Sequence, residues 1–95
     1  MMVISIIIAL AAPNPIHPGA AFGFELPSAA RARLAVYDAG GRRVRALVDA
    51  PLAAGRHQAT WDGRDEAGAL APAGLYFLRF DAGDRSLTRR IALLR

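Results

Sequence analysis

The amino-acid sequence predicts an all-β fold, an antiparallel β-sandwich of about seven strands. Short stretches alternate apolar and polar residues, and Gly, Pro and Asp separate them at intervals of about ten residues. No stretch sustains the 3.6-residue apolar period of a helix. A chain of 95 residues has room for one domain with one modest core. The predicted strands span residues 3–11, 20–26, 31–38, 42–48, 56–61, 74–81 and 85–94.

The first predicted strand has two interpretations. Its apolar run, Val3 to Leu10, is rich in β-branched residues, which favours a buried strand. The same length, followed by small residues at 11–12, also suits a signal peptide, although no Lys or Arg precedes it. The run is about half the ~20 residues of a membrane-spanning helix. We therefore predict that residues 1–12 are a first strand or a remnant signal-like segment, and we predict no transmembrane span.

The net positive charge of the chain favours an anionic partner but does not indicate which class of anion it is. All 12 basic residues are arginine, and 8 acidic residues leave a net charge of +4. Such a surface attracts nucleic acid, acidic glycans or lipid headgroups. Neither a groove-entering helix nor an aromatic-rich RNA-binding pattern is recognisable, so no sequence-specific nucleic-acid partner is predicted. The chain has no cysteine, which excludes disulfides and thiolate metal sites.

Residues 31–48 predict a β-hairpin with a three-residue loop at 39–41, where a glycine takes the left-handed position. A four-residue loop would instead set Arg43 opposite Val36 on the apolar face. The predicted pairs are Val36 with Val44, Leu34 with Ala46, and Asp38 with Arg42.

This register gives the hairpin a basic outward face. It places Arg33, Tyr37, Arg43 and Arg45 together, and arginine forks suit phosphate or acidic sugar. The face is a candidate surface for an anionic partner, and the alternative is an ordinary solvated sheet face.

Alternation also predicts which side chains form the core. Trp61 is expected to be its largest member, because a buried aromatic ring removes the most apolar surface from water. The predicted inward residues of the last three strands are His57, Ala59, Trp61, Tyr76, Leu78, Phe80, Ile91 and Leu93.

The acidic, glycine-rich segment that follows Trp61 is predicted to be a turn. Asp62, Asp65 and Glu66 occupy positions 1, 4 and 5 of the segment. A helix-flanked calcium loop needs ligands at positions 1, 3 and 5 with glycine at 6. Aspartates that bond their own backbone, followed by Gly63 and Gly68 at positive φ, explain the pattern without a metal. We therefore predict no metal ligands.

The chain has few side chains that could act as catalytic bases or nucleophiles. His17 and His57 are the only side chains able to act as bases near neutral pH. His57 falls on the apolar side of its strand, and His17 lies in a proline-rich loop. The hydroxyl nucleophile candidates are Ser5, Ser28, Ser86 and the threonines. We predict no catalytic residue, no cofactor and no enzymatic activity.

Four segments, taken in order, carry a family resemblance: residues 13–27, 32–49, 52–80 and 85–95. Together they resemble the Ig-like C-terminal domains of secreted bacterial proteins. Two related groups share this pattern, the Ig-like domain of the flagellar hook-capping protein FlgD and the type A sorting domains of the type IX secretion system. The resemblance implies that residues 13–95 form a FlgD-like Ig-like C-terminal domain, an immunoglobulin-like or fibronectin-III-like sandwich.

The family motifs fall on specific positions of this chain. They comprise an opening proline–asparagine–proline, a glycine–arginine–valine–leucine strand, a tryptophan–aspartate–glycine turn, a glycine–tyrosine strand start and a basic–apolar last strand. The residues are Pro13, Asn14, Pro15, Gly41, Arg42, Val44, Leu47, Trp61, Asp62, Gly63, Gly74, Tyr76, Arg89, Arg90, Ile91, Leu93 and Leu94.

The resemblance implies a non-catalytic module for type IX-like sorting and cell-surface anchoring. Its expected partner is the secretion and outer-membrane machinery or another cell-envelope component, reached by transit through the periplasm. It also implies a chain that is part of, or derived from, a longer protein. Two alternatives remain open: a structural assembly module of the hook-capping type, and a binding module that holds anionic glycan or lipopolysaccharide on the arginine-rich face.

Overall fold

The computed structural model describes residues 14–95, and this part of the chain contains six strands and no helix. The predicted strand at 3–11, and with it the choice between strand and signal-like segment at 1–12, lies outside the described residues. The other six predicted strands are present, so the all-β prediction is confirmed. No helix among the described residues is long and apolar enough to cross a membrane. The strands are β1 (Ala20–Leu26), β2 (Ala30–Asp38), β3 (Arg43–Leu52), β4 (Gly55–Trp61), β5 (Gly74–Ala82) and β6 (Arg85–Leu93).

The strands form two sheets that face each other. One sheet contains β1 and β4, and the other has the order β3-β2-β5-β6, with every named pair antiparallel. Ile16 adds a short parallel bridge to Leu93 at the edge of the larger sheet. Its N–H donates to the carbonyl of Ala92 and its carbonyl accepts from the N–H of Leu94, both at 2.8 Å. The segment before β1 is thereby attached to the last strand.

The core lies between the two sheets and follows the predicted alternation. Trp61 is 1% exposed and is the largest fully buried side chain, as predicted. On β4, His57 and Ala59 are half-buried, whereas the alternate residues are exposed. The predicted inward residues of β5 and β6 are all buried. The buried core consists of Ile16, Phe22, Phe24, Leu26, Ala32, Leu34, Val36, Trp61, Ala71, Tyr76, Leu78, Phe80, Ala82, Ile91 and Leu93.

Tyr76 connects the start of β5 to the loop before it. Its ring meets Trp61 edge-on, with ring centroids 5.4 Å apart, and its hydroxyl donates to the carbonyl of Pro72. Burial raises the pKa of the Tyr76 phenol above its ordinary value. A tyrosine that bonds back to the backbone a few residues upstream is a recurrent feature of Ig-like sandwiches.

The β2–β3 hairpin confirms the predicted loop but not the whole predicted register. The Asp38 N–H donates to the Arg42 carbonyl at 2.9 Å, and Gly41 takes the left-handed conformation with φ of 89°. Farther from the loop, Val36 faces Arg45 and Leu34 faces Val48. The predicted pairs of Val36 with Val44 and of Leu34 with Ala46 are therefore wrong.

Two β-bulges cause this difference. The register shifts once at Val44 and again at Leu47, and each shift adds an unpaired residue to β3. Both of these apolar side chains pack against the core. Uninterrupted alternation would have turned Leu47 outward and the smaller Ala46 inward, so burial of the larger side chain accounts for the irregularity.

Candidate functional site

The segment between β4 and β5 is a self-bonded turn. The carboxylate of Asp62 accepts the Arg64 N–H at 3.0 Å. That of Asp65 accepts the N–H groups of Ala67 and Ala69 at 2.9 and 3.0 Å. Gly63 and Gly68 have positive φ, 77° and 87°. These two carboxylates therefore shape the backbone, which is the turn chemistry predicted for them.

The same turn holds the indole of Trp61. Its Nε1–H donates to the Arg64 carbonyl at 2.9 Å, and the Arg64 side chain donates to the Gly68 carbonyl at 2.8 Å. Within residues 14–95, no three His, Asp or Glu side chains are placed to hold a metal ion. The hydrogen bonds of the turn thus hold the Trp61 indole in place.

Arg95, which is distant in sequence, is hydrogen-bonded to both sides of this turn. Its guanidinium donates to the carbonyls of Gly63 and Ala71, at 2.6 and 2.7 Å. Gly63 is buried, and a Cβ there would lie 3.3 Å from Pro18 and 3.1 Å from Arg95. The positive φ and the close approach of Pro18 and Arg95 therefore both favour glycine at this position of the tryptophan–aspartate–glycine motif.

Glu66, the third acid, covers the outer edge of β3. Its N–H donates to the Val44 carbonyl at 3.0 Å, and its carboxylate accepts the Ala46 N–H at 3.4 Å. The carboxylate also lies 3.5 Å from Arg43 and 3.6 Å from Arg45. A covered and charged strand edge resists pairing with another chain.

In the structure, Arg45 does not lie on the predicted arginine face. Arg45 lies opposite the buried Val36, so its side chain leaves the hairpin on the core side. Its guanidinium lies 3.4 Å from Asp62 and donates to the carbonyls of Arg64 and Asp65, at 3.4 and 3.3 Å. The bulge at Val44 reverses the side on which Arg45 emerges, which corrects the expectation from alternation.

The other three residues of the predicted face are together. Arg33, Tyr37 and Arg43 line a depression of about 340 Å³ on the outward face of the larger sheet. Arg79 of β5 joins them, because it lies opposite Ala35 of β2. Arg79 was not predicted to be a member, although it alternates with the predicted inward residues Leu78 and Phe80. The missing information was that β2 and β5 are neighbours.

Aspartates pair with two arginines of this depression, Arg33 and Arg79, and with the neighbouring Arg31. Asp49 lies 2.9 Å from Arg31 and 3.4 Å from Arg33. The hydrogen bonds from Arg31 are the main reason that the pKa of Asp49 is lowered. Asp81 lies 3.2 Å from Arg79. The face is thus a mixed surface of guanidinium and carboxylate groups.

The asparagine of the opening motif bonds to the last strand. The Asn14 side chain accepts the Ala92 N–H at 3.0 Å and donates to the Arg90 carbonyl at 3.3 Å. It therefore occupies the place of a strand backbone along the edge of β6. The peptide bond to Pro15 is cis. Pro13 lies outside the described residues.

The remaining motif residues divide between core and surface. Val44 and Leu47 pack against the core, and Tyr76, Ile91 and Leu93 belong to it. Gly41 and Gly74 have positive φ. Both glycines are exposed, as are the side chains of Arg42, which bonds Asp38, and of Arg89, Arg90 and Leu94.

The two histidines and Ser86 occupy separate local environments. His57 stacks on Phe24 with ring centroids 5.5 Å apart, and its Nε2 forms a 2.8 Å hydrogen bond with the Ala53 carbonyl. His17 is exposed. The Ser86 hydroxyl bonds to the carboxylate of Asp81. His57 is thus a half-buried packed histidine, as predicted; Ser5 lies outside the described residues.

The solved structures that resemble this chain include FlgD and PorZ. FlgD from P. aeruginosa superposes with a TM-score of 0.59 at 26% identity, over 76% of this chain and 57% of that protein. PorZ, an essential bacterial surface component of the type IX secretion system of Porphyromonas gingivalis, superposes with a TM-score of 0.63 at 19% identity. That match covers 87% of this chain and 11% of PorZ. This chain therefore spans only part of either protein.

A comparison with curated protein sequences found no match. The family model described as the FlgD Ig-like domain matches residues 14–86. These residues hold the asparagine of the opening motif, the bulged hairpin and the Trp61 turn. The chain belongs to the FlgD Ig-like domain family.

Proposed function

We propose that this chain is a non-catalytic structural module of a longer cell-envelope protein. The observation that carries the proposal is the set of hydrogen bonds that hold the turn after Trp61. There, Asp62, Asp65, Arg64 and Arg95 all bond to the backbone of the domain itself. This arrangement makes a rigid body in which the motif residues maintain shape. A rigid body suits a part that is recognised and held by a partner.

The specific role that we propose is type IX-like sorting to the cell surface. It is supported by the ordered motifs, which include the asparagine contact to β6 and the exposed arginines at positions 89 and 90. The same fold occurs in PorZ, a surface component of the type IX secretion system. The exposed arginines are the groups that a secretion machine would contact, because the apolar motif residues of β6 are buried.

A reporter fusion tests the sorting role. The whole chain is fused to the C-terminus of a periplasmic reporter and expressed in a host with a working type IX system. We expect the reporter on the cell surface, and retention in the periplasm would contradict the proposal. Replacing Arg89 and Arg90 by glutamate should reduce surface display. Arg56→Glu with Arg85→Glu is the matched control, since it changes the net charge equally at exposed positions outside the motif.

The second candidate is a structural assembly module of the hook-capping type. It is favoured by the 26% identity to FlgD over 76% of this chain. The test is to replace the Ig-like domain of a hook-capping protein with this chain and to measure hook completion and motility. Restored hooks would favour this candidate, whereas surface display without restored hooks would favour sorting.

A further inference from the structure

The outward depression on the four-stranded sheet has the features of a ligand site. Its floor includes Ala35 and Ala46, which lie opposite each other on β2 and β3. Larger residues from three strands surround these two small side chains. The volume of about 340 Å³ is at the lower end of the range for small-molecule sites. The residues around the floor are Arg33, Tyr37, Arg43, Asp49, Arg79 and Asp81.

Two of the arginines are held in place with donors to spare. Arg33 uses Nε to bond Asp49 at 3.4 Å, and Arg79 uses Nε to bond Asp81 at 3.2–3.3 Å. The Nη groups of these arginines make no hydrogen bond to any of residues 14–95. Because each guanidinium has five N–H donors, both keep several for a ligand. A side chain that is already oriented loses less entropy on binding.

The charges of the depression are unequal. Three guanidinium groups and two carboxylates line it. The neighbouring Arg31 and Glu66, which pair with Asp49 and Arg43, add one charge of each sign, so one positive charge remains in excess. An anion is therefore favoured, and the planar forks match a carboxylate group. The two aspartates are acceptors that suit hydroxyl donors of the same ligand. Tyr37 supplies a ring face for apolar contact and a hydroxyl for hydrogen bonding.

We propose that this depression binds an acidic sugar residue of an envelope polysaccharide. The carboxylate of the sugar is held by Arg79 and Arg33, its hydroxyls by Asp49 and Asp81, and its ring by Tyr37. Such a ligand presents one carboxylate and several hydroxyls, and so it uses both the donors and the acceptors of the site. This inference goes beyond the proposed sorting role and does not depend on it.

The probe for the test is a galacturonic acid oligosaccharide, and the neutral control is its methyl ester. We expect calorimetry or fluorescence to detect binding of the acid form that is at least about tenfold tighter than that of the ester. Affinity for the acid should fall as salt concentration rises. Equal affinity for acid and ester would overturn the proposal, as would the absence of binding to the acid form.

Three variants locate the site. Arg79→Gln should weaken binding about tenfold or more, because it removes a paired charge-assisted donor. Ala35→Leu should abolish binding, since the larger side chain fills the floor of the depression and every charge is kept. Arg85→Gln is the control, because Arg85 is exposed, lies outside the depression and carries the same charge. Equal losses in Arg79→Gln and Arg85→Gln would show a general charge effect and overturn the site.

Folding of each variant is checked by circular dichroism and by the thermal midpoint. Should Ala35→Leu unfold, Ala46→Leu provides a second way to fill the same floor from β3. Retained binding in a folded floor variant would overturn the proposal. Binding that survives both Arg79→Gln and Arg33→Gln would do the same.

Discussion

The guanidinium of Arg95 donates to the carbonyl of Gly63 at 2.6 Å, across 32 residues of sequence. A second hydrogen bond from Arg95, to the carbonyl of Ala71, joins both sides of the turn that follows Trp61. The segment that follows the last strand is thereby bonded to the loop that positions the largest core side chain. The stability of the domain should depend on this contact.

Arg95→Ala should lower the free energy of unfolding by about 1–3 kcal/mol, because two carbonyls lose a charged hydrogen-bond donor. Urea unfolding followed by Trp61 fluorescence measures the change. Arg85→Ala is the matched control: its side chain is exposed and makes no ion pair with residues 14–95, so its effect should stay within about 0.5 kcal/mol. Equal effects of the two substitutions would contradict the role given to Arg95.

The two glycines of the Trp61 turn should differ in their tolerance of alanine. Both have positive φ, so each substitution should cost about 1–2 kcal/mol through backbone strain. Only at Gly63 does a Cβ also meet Pro18 and Arg95, whereas Gly68 has open space. Gly63→Ala should therefore be worse than Gly68→Ala by about 1 kcal/mol or more. Equal thermal midpoints for the two variants would disprove the close packing at Gly63.

The hydroxyl of Tyr76 should matter more than that of Tyr37. Tyr76→Phe leaves the Pro72 carbonyl without its donor and should destabilise the domain by about 1–2 kcal/mol. Tyr37→Phe changes the same atom at a half-buried position where the hydroxyl bonds to none of residues 14–95, and its effect should be within about 0.5 kcal/mol. Chemical denaturation of both variants provides the comparison, and a reversed order would contradict it.

Acid should destabilise the domain through Asp38 and Asp49. The pKa of Asp38 lies below its ordinary 3.8, chiefly because its carboxylate accepts the Arg42 N–H, and the pKa of Asp49 is lowered chiefly by Arg31. A depressed carboxyl pKa contributes stability above the unfolded value, and that stability is lost as pH falls through the folded value. Thermal midpoints measured from about pH 6 to about pH 3 should therefore decrease below about pH 4.

Asp38→Asn tests the contribution of the first carboxylate. Asparagine does not ionise in this range, so the variant should lose less stability than the natural chain over the same decrease in pH. An identical pH dependence in both proteins would remove Asp38 from the explanation.

The bulged register predicts that Arg45 and Arg43 are not equivalent. The Arg45 side chain is 33% exposed and bonds two carbonyls, whereas the Arg43 side chain is 56% exposed and pairs with Glu66. Arg45→Ala should therefore destabilise more than Arg43→Ala, by about 0.5–1.5 kcal/mol. Uninterrupted alternation would put both on the same solvated face, and equal unfolding free energies would support that simpler register.

Local chemistry explains why the turns were predictable. The Asp62 and Asp65 carboxylates bond to backbone groups two to four residues away. Gly41 takes positive φ at the tip of a hairpin whose strands are adjacent in sequence. Short-range hydrogen bonds of this kind depend on residue type and spacing, which the sequence displays directly.

The arginine face was predictable only in part. Arg33, Tyr37 and Arg43 belong to one hairpin, and they came together as expected. Arg45 does not lie on the face, because the bulges that accompany burial of Leu47 turn its side chain to the other side of the sheet. Arg79 does lie on the face, because β5 is the neighbour of β2. The alternation of residues within a single strand predicts neither the bulges nor the pairing of β2 with β5.

The sequence by itself determined the all-β class, the inward residues of the last three strands and the turn after Trp61. Each of these follows from a two-residue alternation or from hydrogen bonds between near neighbours. The tertiary structure alone decided the bulges of β3, the order of strands in the larger sheet and the contact of Arg95 with Gly63. These features depend on how two sheets fill a shared core, and that competition for buried volume is settled only when distant segments meet.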